Sequence, residues 1–232
     1  MNIAFIPVRG GSKSIPLKNI KELNGKPLVY WTSKAANDAK CIDQVIIATD
    51  SEEIKAVVKS FGLDKVQIYD RDKKNAEDTS STESVMLEYI QQSDLKTKDL
   101  FFLIQATSPM LKSEHIDGMY RAFMAGNADS MFSGVVEKQF HWKFLPHQIS
   151  HNQDNFVVPV NYDYCNRPRR QEFEGLVAEN GACYINSVGN ILRDKCRLSG
   201  NIAAYELPAY TAYEIDEPED WFLVEELMKR YQ

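Results

Sequence analysis

Phe5-Ile6-Pro7-Val8-Arg9-Gly10-Gly11-Ser12-Lys13-Ser14-Ile15-Pro16-Leu17-Lys18-Asn19 decides how the rest of this chain is read. An apolar strand, Asn2 to Ile6, breaks into a loop with two glycines and the cations Arg9, Lys13 and Lys18. Glycine lets a backbone turn tightly and bring its N–H groups close to a ligand. A run of inward-pointing N–H groups makes an anion-binding concavity. The three cations suit phosphate oxygens, and arginine can grip them with two parallel bonds. The stretch therefore reads as a triphosphate cradle at the carboxyl end of a first strand. The plain alternative is a Gly-Gly turn that holds nothing, but clustered cations coincide with the glycines. Neither the P-loop pattern nor the third glycine of the dinucleotide fingerprint is present.

Outward from that loop, apolar strands alternate with amphipathic helical patterns, which predicts an α/β fold with a mainly parallel sheet flanked by helices. Strands are expected at Val45 to Ala48, Val66 to Tyr69, Leu100 to Ile104, Ser130 to Val136, Gly181 to Asn186 and Ile202 to Glu206. Pro27 sits just inside a helix that runs to about Ala39, where proline is tolerated. Thr49-Asp50-Ser51 caps a helix that ends near Phe61, before Gly62. Ser80 and Glu83 have capping-box spacing before a helix from Val85 to Gln92. Further helices span about Glu114 to Met124 and Asp220 to Tyr231. Between them, residues 137–176 carry aromatics, prolines, amides and cations without clean periodicity, and an excursion of that length is usually functional. The whole, 1–232, reads as a single domain containing that excursion, without internal repeats.

The 232 residues are 44% hydrophobic, enough for a substantial core. A net charge of −6 argues against a general nucleic-acid binder. An acidic protein that binds an anion must gather its cations in one place, which the opening loop does. No stretch approaches the roughly 20 apolar residues of a membrane span. The start of the chain runs straight into a strand without a signal-peptide pattern. Cys41, Cys165, Cys183 and Cys196 are widely spaced, which suits reduced cytoplasmic thiols rather than zinc or redox chemistry. His115, His141, His147 and His151 lack metal-site spacing and read as structural.

Ligands of open α/β sheets bind beyond the carboxyl ends of the strands. Four segments follow strands: the opening loop, Arg71 with Ser80 to Thr82, Gln105-Ala106-Thr107-Ser108-Pro109, and Tyr213 to Asp216. In the last, alternation places Glu214 and Asp216 on one side, where two carboxylates can hold Mg²⁺. Ser80 by itself reads as a helix cap.

Arg9-Gly10-Gly11-Ser12-Lys13, Ile15-Pro16 and Lys18-Asn19, with Gln105 to Pro109 and the closing Glu214-Ile215-Asp216, resemble the acylneuraminate cytidylyltransferases, also called CMP-sialic acid synthetases, of the nonulosonic acid branch. The resemblance runs from Ile6 to Asp220. It implies a Rossmann-like nucleotidyltransferase fold in which the excursion reaches across a two-fold axis and closes a partner's site, in a cytoplasmic homodimer. It implies that Arg9, Gly10, Gly11, Ser12 and Lys18 hold the phosphates of CTP, that Asn19 lies beside the nucleoside, and that Arg71 and Thr82 lie near the base or ribose. It places Gln105, Lys143 and Arg170 on the sugar acid, and Mg²⁺ on Asp216 with Glu214. Ser14 and Ala178 stand where glycine and arginine are common in the family, Glu214 where aspartate is, and Lys73 to Ala76 interrupt the usual pattern after Arg71.

The reaction implied is attack by the anomeric hydroxyl of a nine-carbon 2-keto acid on the α-phosphate of CTP, giving a CMP-sugar and pyrophosphate, with Arg9, Lys18 and Asp216 as the catalytic set. Chemistry of this kind rests on positioning and charge stabilisation, and no protein general base stands out. The length leaves no room for an appended C-terminal phosphatase domain. A non-catalytic nucleotide sensor on the same fold, or a nucleotidyltransferase for another sugar, are the alternatives; Gln105, in place of a metal-binding aspartate, argues against the latter.

Overall fold

The structure is a computed structural model, and it describes residues 1–11, 14–76, 80–145 and 156–231. In chain order the elements are β1 (Asn2–Pro7), β2 (Glu22–Leu23), β3 (Lys26–Pro27), α1 (Leu28–Asp38), β4 (Gln44–Thr49), α2 (Glu52–Lys59), β5 (Val66–Asp70), α3 (Thr82–Gln92), β6 (Leu100–Ile104), α4 (Ser113–Ala125) and β7 (Ser130–Glu137). They continue with β8 (Trp142–Phe144), β9 (Val157–Pro159), β10 (Leu176–Ser187), α5 (Val188–Asp194), β11 (Ile202–Glu206) and α6 (Pro218–Tyr231). Seven strands form one sheet in the order β11-β7-β10-β6-β1-β4-β5. β1 pairs in parallel with β4 and β6, as do β4 with β5 and β7 with β11. Only β10 runs against its neighbours, β6 and β7. The expected mainly parallel sheet with flanking helices is the architecture observed.

Strand alternation explains the layering. Ala4 and Ile6 of β1, Val45 and Ile47 of β4, and Phe102 and Ile104 of β6 pack on one face with Ile54, Val58, Ile116 and Met119 of α2 and α4. Ile3, Phe5, Ile46, Phe101 and Leu103 face the other way, against Val85, Met86 and Ile90 of α3 and Val188 and Ile191 of α5. Phe5 and Phe102 are fully buried, and burying one such side chain stabilises by roughly 1.5–3 kcal/mol. These inner strands thus form a stiff platform from which loops project. A third cluster joins Ile15 of the opening loop to Ile215 and to Trp221, Val224 and Met228 of α6.

Several expected boundaries shift. Pro27 is the N-cap of α1, not its first helical residue. α3 is capped by Ser81, whose Oγ accepts from the Ser84 N–H at 3.1 Å, while Ser80 Oγ donates to Lys74 O. The Ser80 hydroxyl is drawn back to the preceding turn, so the cap falls one residue later. β10 begins at Leu176, five residues before the expected Gly181, because a register shift between Glu179 and Tyr184 breaks its alternation. Within the excursion, β8 and β9 pair as a separate two-stranded sheet, and Tyr164–Asn166 form a 3-10 turn. The β2–β3 ribbon and α5 add to the expected elements, and α6 starts at Pro218. Among the described residues, no helix is long and apolar enough to cross a membrane.

Candidate functional site

β1, β4, β5 and β6 are mutually parallel, so their carboxyl ends share one edge. The strand order reverses between β6 and β1, the crevice where such sheets take ligands. A cleft opens there, lined by Arg9, Lys18, Asn19, Arg71, Thr82 and Gln105, with Ser80, Ser81 and Thr107. Residues far apart in the chain meet because each follows, or is carried beside, a strand that ends at that edge.

The opening loop is tied at both ends. Asn19 Nδ2 donates to Arg9 O at 3.1 Å. Leu17 has φ 52°, uncommon for a residue with a side chain, and leads into the 3-10 turn that carries Lys18 and Asn19. Gly10 serves a different end from the one expected. Its N–H donates to Asp50 Oδ1 at 3.0 Å, and a Cβ there would lie 2.9 Å from Ser51 Cβ. Glycine is needed for close approach to the end of β4, and its N–H is engaged by a carboxylate rather than turned to a ligand. Gly11 is exposed, with open space around it. Ser12 and Lys13 lie outside the described residues, as do Asp78, Thr79, His147 and His151.

Arg71 is 7% exposed, and its backbone N–H donates to Thr49 O at 3.3 Å. Its Nε is buried with no hydrogen-bond partner among the described residues. Burial pushes the guanidinium's pKa down and nearby Arg9 adds to that, while Asp50 and Glu88 oppose it. An anion entering the cleft would relieve both effects. Thr82 opens α3, and the start of that helix, from Ser80 to Thr82, lines the same space. Gln105 follows β6, held by its N–H to Ala182 O at 3.4 Å.

The closing segment meets this cleft through Lys18. Lys18 Nζ donates to Ile215 O at 2.9 Å and to Asp216 Oδ1 at 3.1 Å. Ser14 Oγ donates to Asp216 O at 2.5 Å, so the side chain found where glycine was expected stitches the two loops together. Ile215 is fully buried, and its N–H donates to Thr107 O at 2.9 Å. Burial, and then the Asp216 charge, push the Glu214 carboxyl up to about 7, with Lys18 pulling the other way. A divalent cation between the two carboxylates would remove that repulsion. Mg²⁺ takes one or two carboxylates and completes its shell with waters and substrate phosphates, so the donor set fits. Among the described residues, no group of three or more His, Cys, Asp and Glu could hold a metal.

Two expected residues are elsewhere. Lys143 is exposed on β8. Arg170 lies in a second depression with Arg167, Arg169, Lys138 and Phe140, and the Arg167 guanidinium sits 4.3 Å above the Phe140 ring. Neither lines the first cleft of the same chain. Sequence reasoning missed Asp50 as the anchor of Gly10, having read it only as part of a helix cap. It also missed Gly181: φ is +63°, and a Cβ there would lie 2.5 Å from Glu214 Oε1. The signal was present in Asn180-Gly181, a polar pair at a strand edge.

A family model described as Cytidylyltransferase matches residues 3–158. The chain is 36% identical over 229 residues to N-acylneuraminate cytidylyltransferase of Oncorhynchus mykiss, covering 98% of this chain and 50% of the relative. It is 28% identical over 225 residues to N-acylneuraminate cytidylyltransferase of Streptococcus agalactiae serotype V, covering 96% and 52%. It therefore spans about half the length of the curated relatives it matches. Among solved structures, CMP:2-keto-3-deoxy-manno-octonic acid synthetase complexed with CTP is similar at a TM-score of 0.70 and 17% identity, over 100% of this chain and 99% of that one. A 4-diphosphocytidyl-2C-methyl-D-erythritol synthase follows at 0.68 and 13%, over 98% of both. At such identities the likeness establishes the fold alone. With the family model covering more than half of its residues, on a sheet whose switch point opens into a cationic cleft, the chain belongs to the cytidylyltransferase family.

Proposed function

We propose that this chain transfers a cytidylyl group from CTP to a nine-carbon 2-keto sugar acid, an N-acylneuraminate or related nonulosonate, giving a CMP-sugar and pyrophosphate. The observation that carries this reading is the gathering of Arg9, Lys18 and Arg71 in one cleft at the β6–β1 switch point. The names of the relatives support the sugar acid as acceptor.

Arg9 and Lys18 hold the triphosphate and balance the charge of the departing pyrophosphate, together with the Gly11 backbone. Arg71, Thr82 and Asn19 surround the nucleoside. Gln105 orients the sugar acid. The anomeric oxygen forms a bond to the α-phosphorus, the bond from that phosphorus to the α–β bridging oxygen breaks and pyrophosphate leaves with the electron pair, and the hydroxyl proton passes to solvent water. Fixed cations aimed at a developing charge cost no reorganisation during the reaction. Asp216 and Glu214 would hold Mg²⁺, which when bound would supply a Lewis acid for the phosphate oxygens.

Lys143 and Arg170 act on the sugar acid from a second copy, within a homodimer built on the excursion. Trp142, Phe144, Phe156, Tyr164, Leu176 and Val177 are all exposed along this region, and this surface is the one a second copy would cover. Residues 1–232 act as one domain, since β10 and β11 complete the sheet begun by β1. The unpaired Cys41, Cys165, Cys183 and Cys196 suit a cytoplasmic setting.

The test is pyrophosphate release by the purified chain from CTP and Mg²⁺ with a panel of nonulosonic acids. Release with one of these acids and CTP, but not with UTP or ATP, is expected. Silence with every acid, with CTP bound all the same, points to a nucleotide sensor. Release only with a sugar 1-phosphate gives a different acceptor.

A further inference from the structure

Glu88 stands midway along α3, outside the lining of the cleft. It is half-buried, and its carboxylate gathers donors from both sides of Arg71. Tyr69 OH donates to Oε1 at 2.7 Å, and the Asp72 N–H donates to the same oxygen at 2.8 Å. Asn75 Nδ2 donates to Oε2. The segment between is a tight turn, closed by the Asn75 N–H on Asp72 O at 2.8 Å and by the Lys74 N–H on Asp72 Oδ1 at 3.0 Å. Burial and the bond to Glu88 push the Tyr69 phenol up, so it remains a donor. Three bonds from one carboxylate thus pin residues two before, one after and four after Arg71.

Arg71 has no comparable hold of its own. Its backbone N–H reaches Thr49 O at a long 3.3 Å, and its Nε has no hydrogen-bond partner among the described residues. Lys73 to Asn75 form a 3-10 turn with exposed lysines and no buried residue, so it has no anchor in the core. A carboxylate is well suited to replace such an anchor, because bonds to a charged acceptor are worth about twice neutral ones. The Glu88 charge also acts favourably on Arg71 itself, against burial and against Arg9.

We propose that Glu88 is a positioning residue for the nucleotide: its carboxylate clamps the Tyr69–Asn75 segment and so presents the Arg71 guanidinium to the cleft. This deepens the reading of the cleft as a nucleotide site and rests on it. Glu88 touches neither reactant, and α3 serves the site twice, with its first turn at the cleft and its middle behind Arg71.

The experiment is CTP binding by calorimetry and steady-state kinetics on the full chain, for the wild type, Arg71→Ala, Glu88→Gln, Glu88→Ala and Asn75→Ala. In Glu88→Gln one acceptor oxygen becomes a donor facing a donor. The expected result is a rise in Kd and KM for CTP of on the order of 10-fold in Glu88→Ala. A smaller rise is expected in Glu88→Gln and Asn75→Ala, and KM for the sugar acid stays unchanged. In the double variant Glu88→Ala/Asn75→Ala the losses should fall short of additive, because both remove one bond. A fall in thermal midpoint with unchanged Kd for CTP overturns the proposal, as does an equal rise in KM for both substrates. Should Glu88→Ala fail to fold, Asn75→Ala tests the same clamp from the loop side. If the wild type does not bind CTP, or Arg71→Ala binds it unchanged, the nucleotide reading itself has failed, which is a separate outcome from normal Arg71 dependence with indifferent Glu88 variants.

Discussion

Asp216 is 65% exposed, and its side chain meets Lys18 at 3.1 Å across the mouth of the cleft. An exposed ion pair contributes little to stability, so its value lies in the chemistry. Asp216→Ala is expected to lower turnover by on the order of 10²–10³-fold while the unfolding free energy changes by less than about 0.5 kcal/mol. Stopped assays beside a urea titration check both halves, and near-normal turnover removes the metal assignment. Residue chemistry together with the family resemblance pointed to Asp216, Arg9, Lys18, Arg71 and Gln105. It misjudged Gly10. Two glycines in a cationic loop suggest flexible N–H donors, and nothing local reveals that Asp50 and Ser51 close in from the end of β4.

β10 shows what periodicity misses. Its amino-terminal half pairs with β7 from Leu176 to Glu179, then the register shifts before Tyr184. Gly181 takes a positive φ in that shift and leaves room for the Glu214 carboxylate. Gly181→Ala is expected to cost about 1–3 kcal/mol, from strained backbone together with the clash. It should also weaken Mn²⁺ binding to the nucleotide-loaded protein, measured by electron paramagnetic resonance. An unaltered metal titration would separate Gly181 from Glu214. α3 offers a pH prediction. Burial alone would push the Glu83 carboxyl up, but the Arg197 guanidinium, with Nε 2.6 Å from Oε1, leaves it below its ordinary 4.5. A depressed carboxyl contributes stability that is full above the unfolded value and is lost as pH falls through the folded one. Unfolding free energy should therefore fall below about pH 4.5, and Glu83→Gln should flatten that part of the profile. An unchanged slope in Glu83→Gln would show that other carboxylates govern it.

At the scale of the whole molecule, the homodimer proposed above is tested on the excursion. Trp142 and Phe144 on β8 are 44% and 52% exposed, and Phe156 beside β9 is 59% exposed. Trp142→Asp with Phe144→Asp is expected to shift the mass in light scattering from two copies to one. It should lower activity without disturbing CTP binding, since the lining of the cleft includes neither Trp142 nor Phe144. A double variant that remains dimeric would move the interface elsewhere.

Local patterning was enough for the alternation of strands and helices, for the parallel sheet and for the residues after each strand. Those features follow from apolar periodicity, caps and cation clusters over a few residues, and short-range sterics enforce them in any fold of this kind. Three-dimensional packing settled the rest. It brought Lys18 to Asp216 across 198 positions of the chain, took up the Gly10 N–H with Asp50, shifted the register at Gly181 and set the excursion apart on its own small sheet. Each of these depends on which strand ends beside which, and strand order is an outcome of burying the whole core at once.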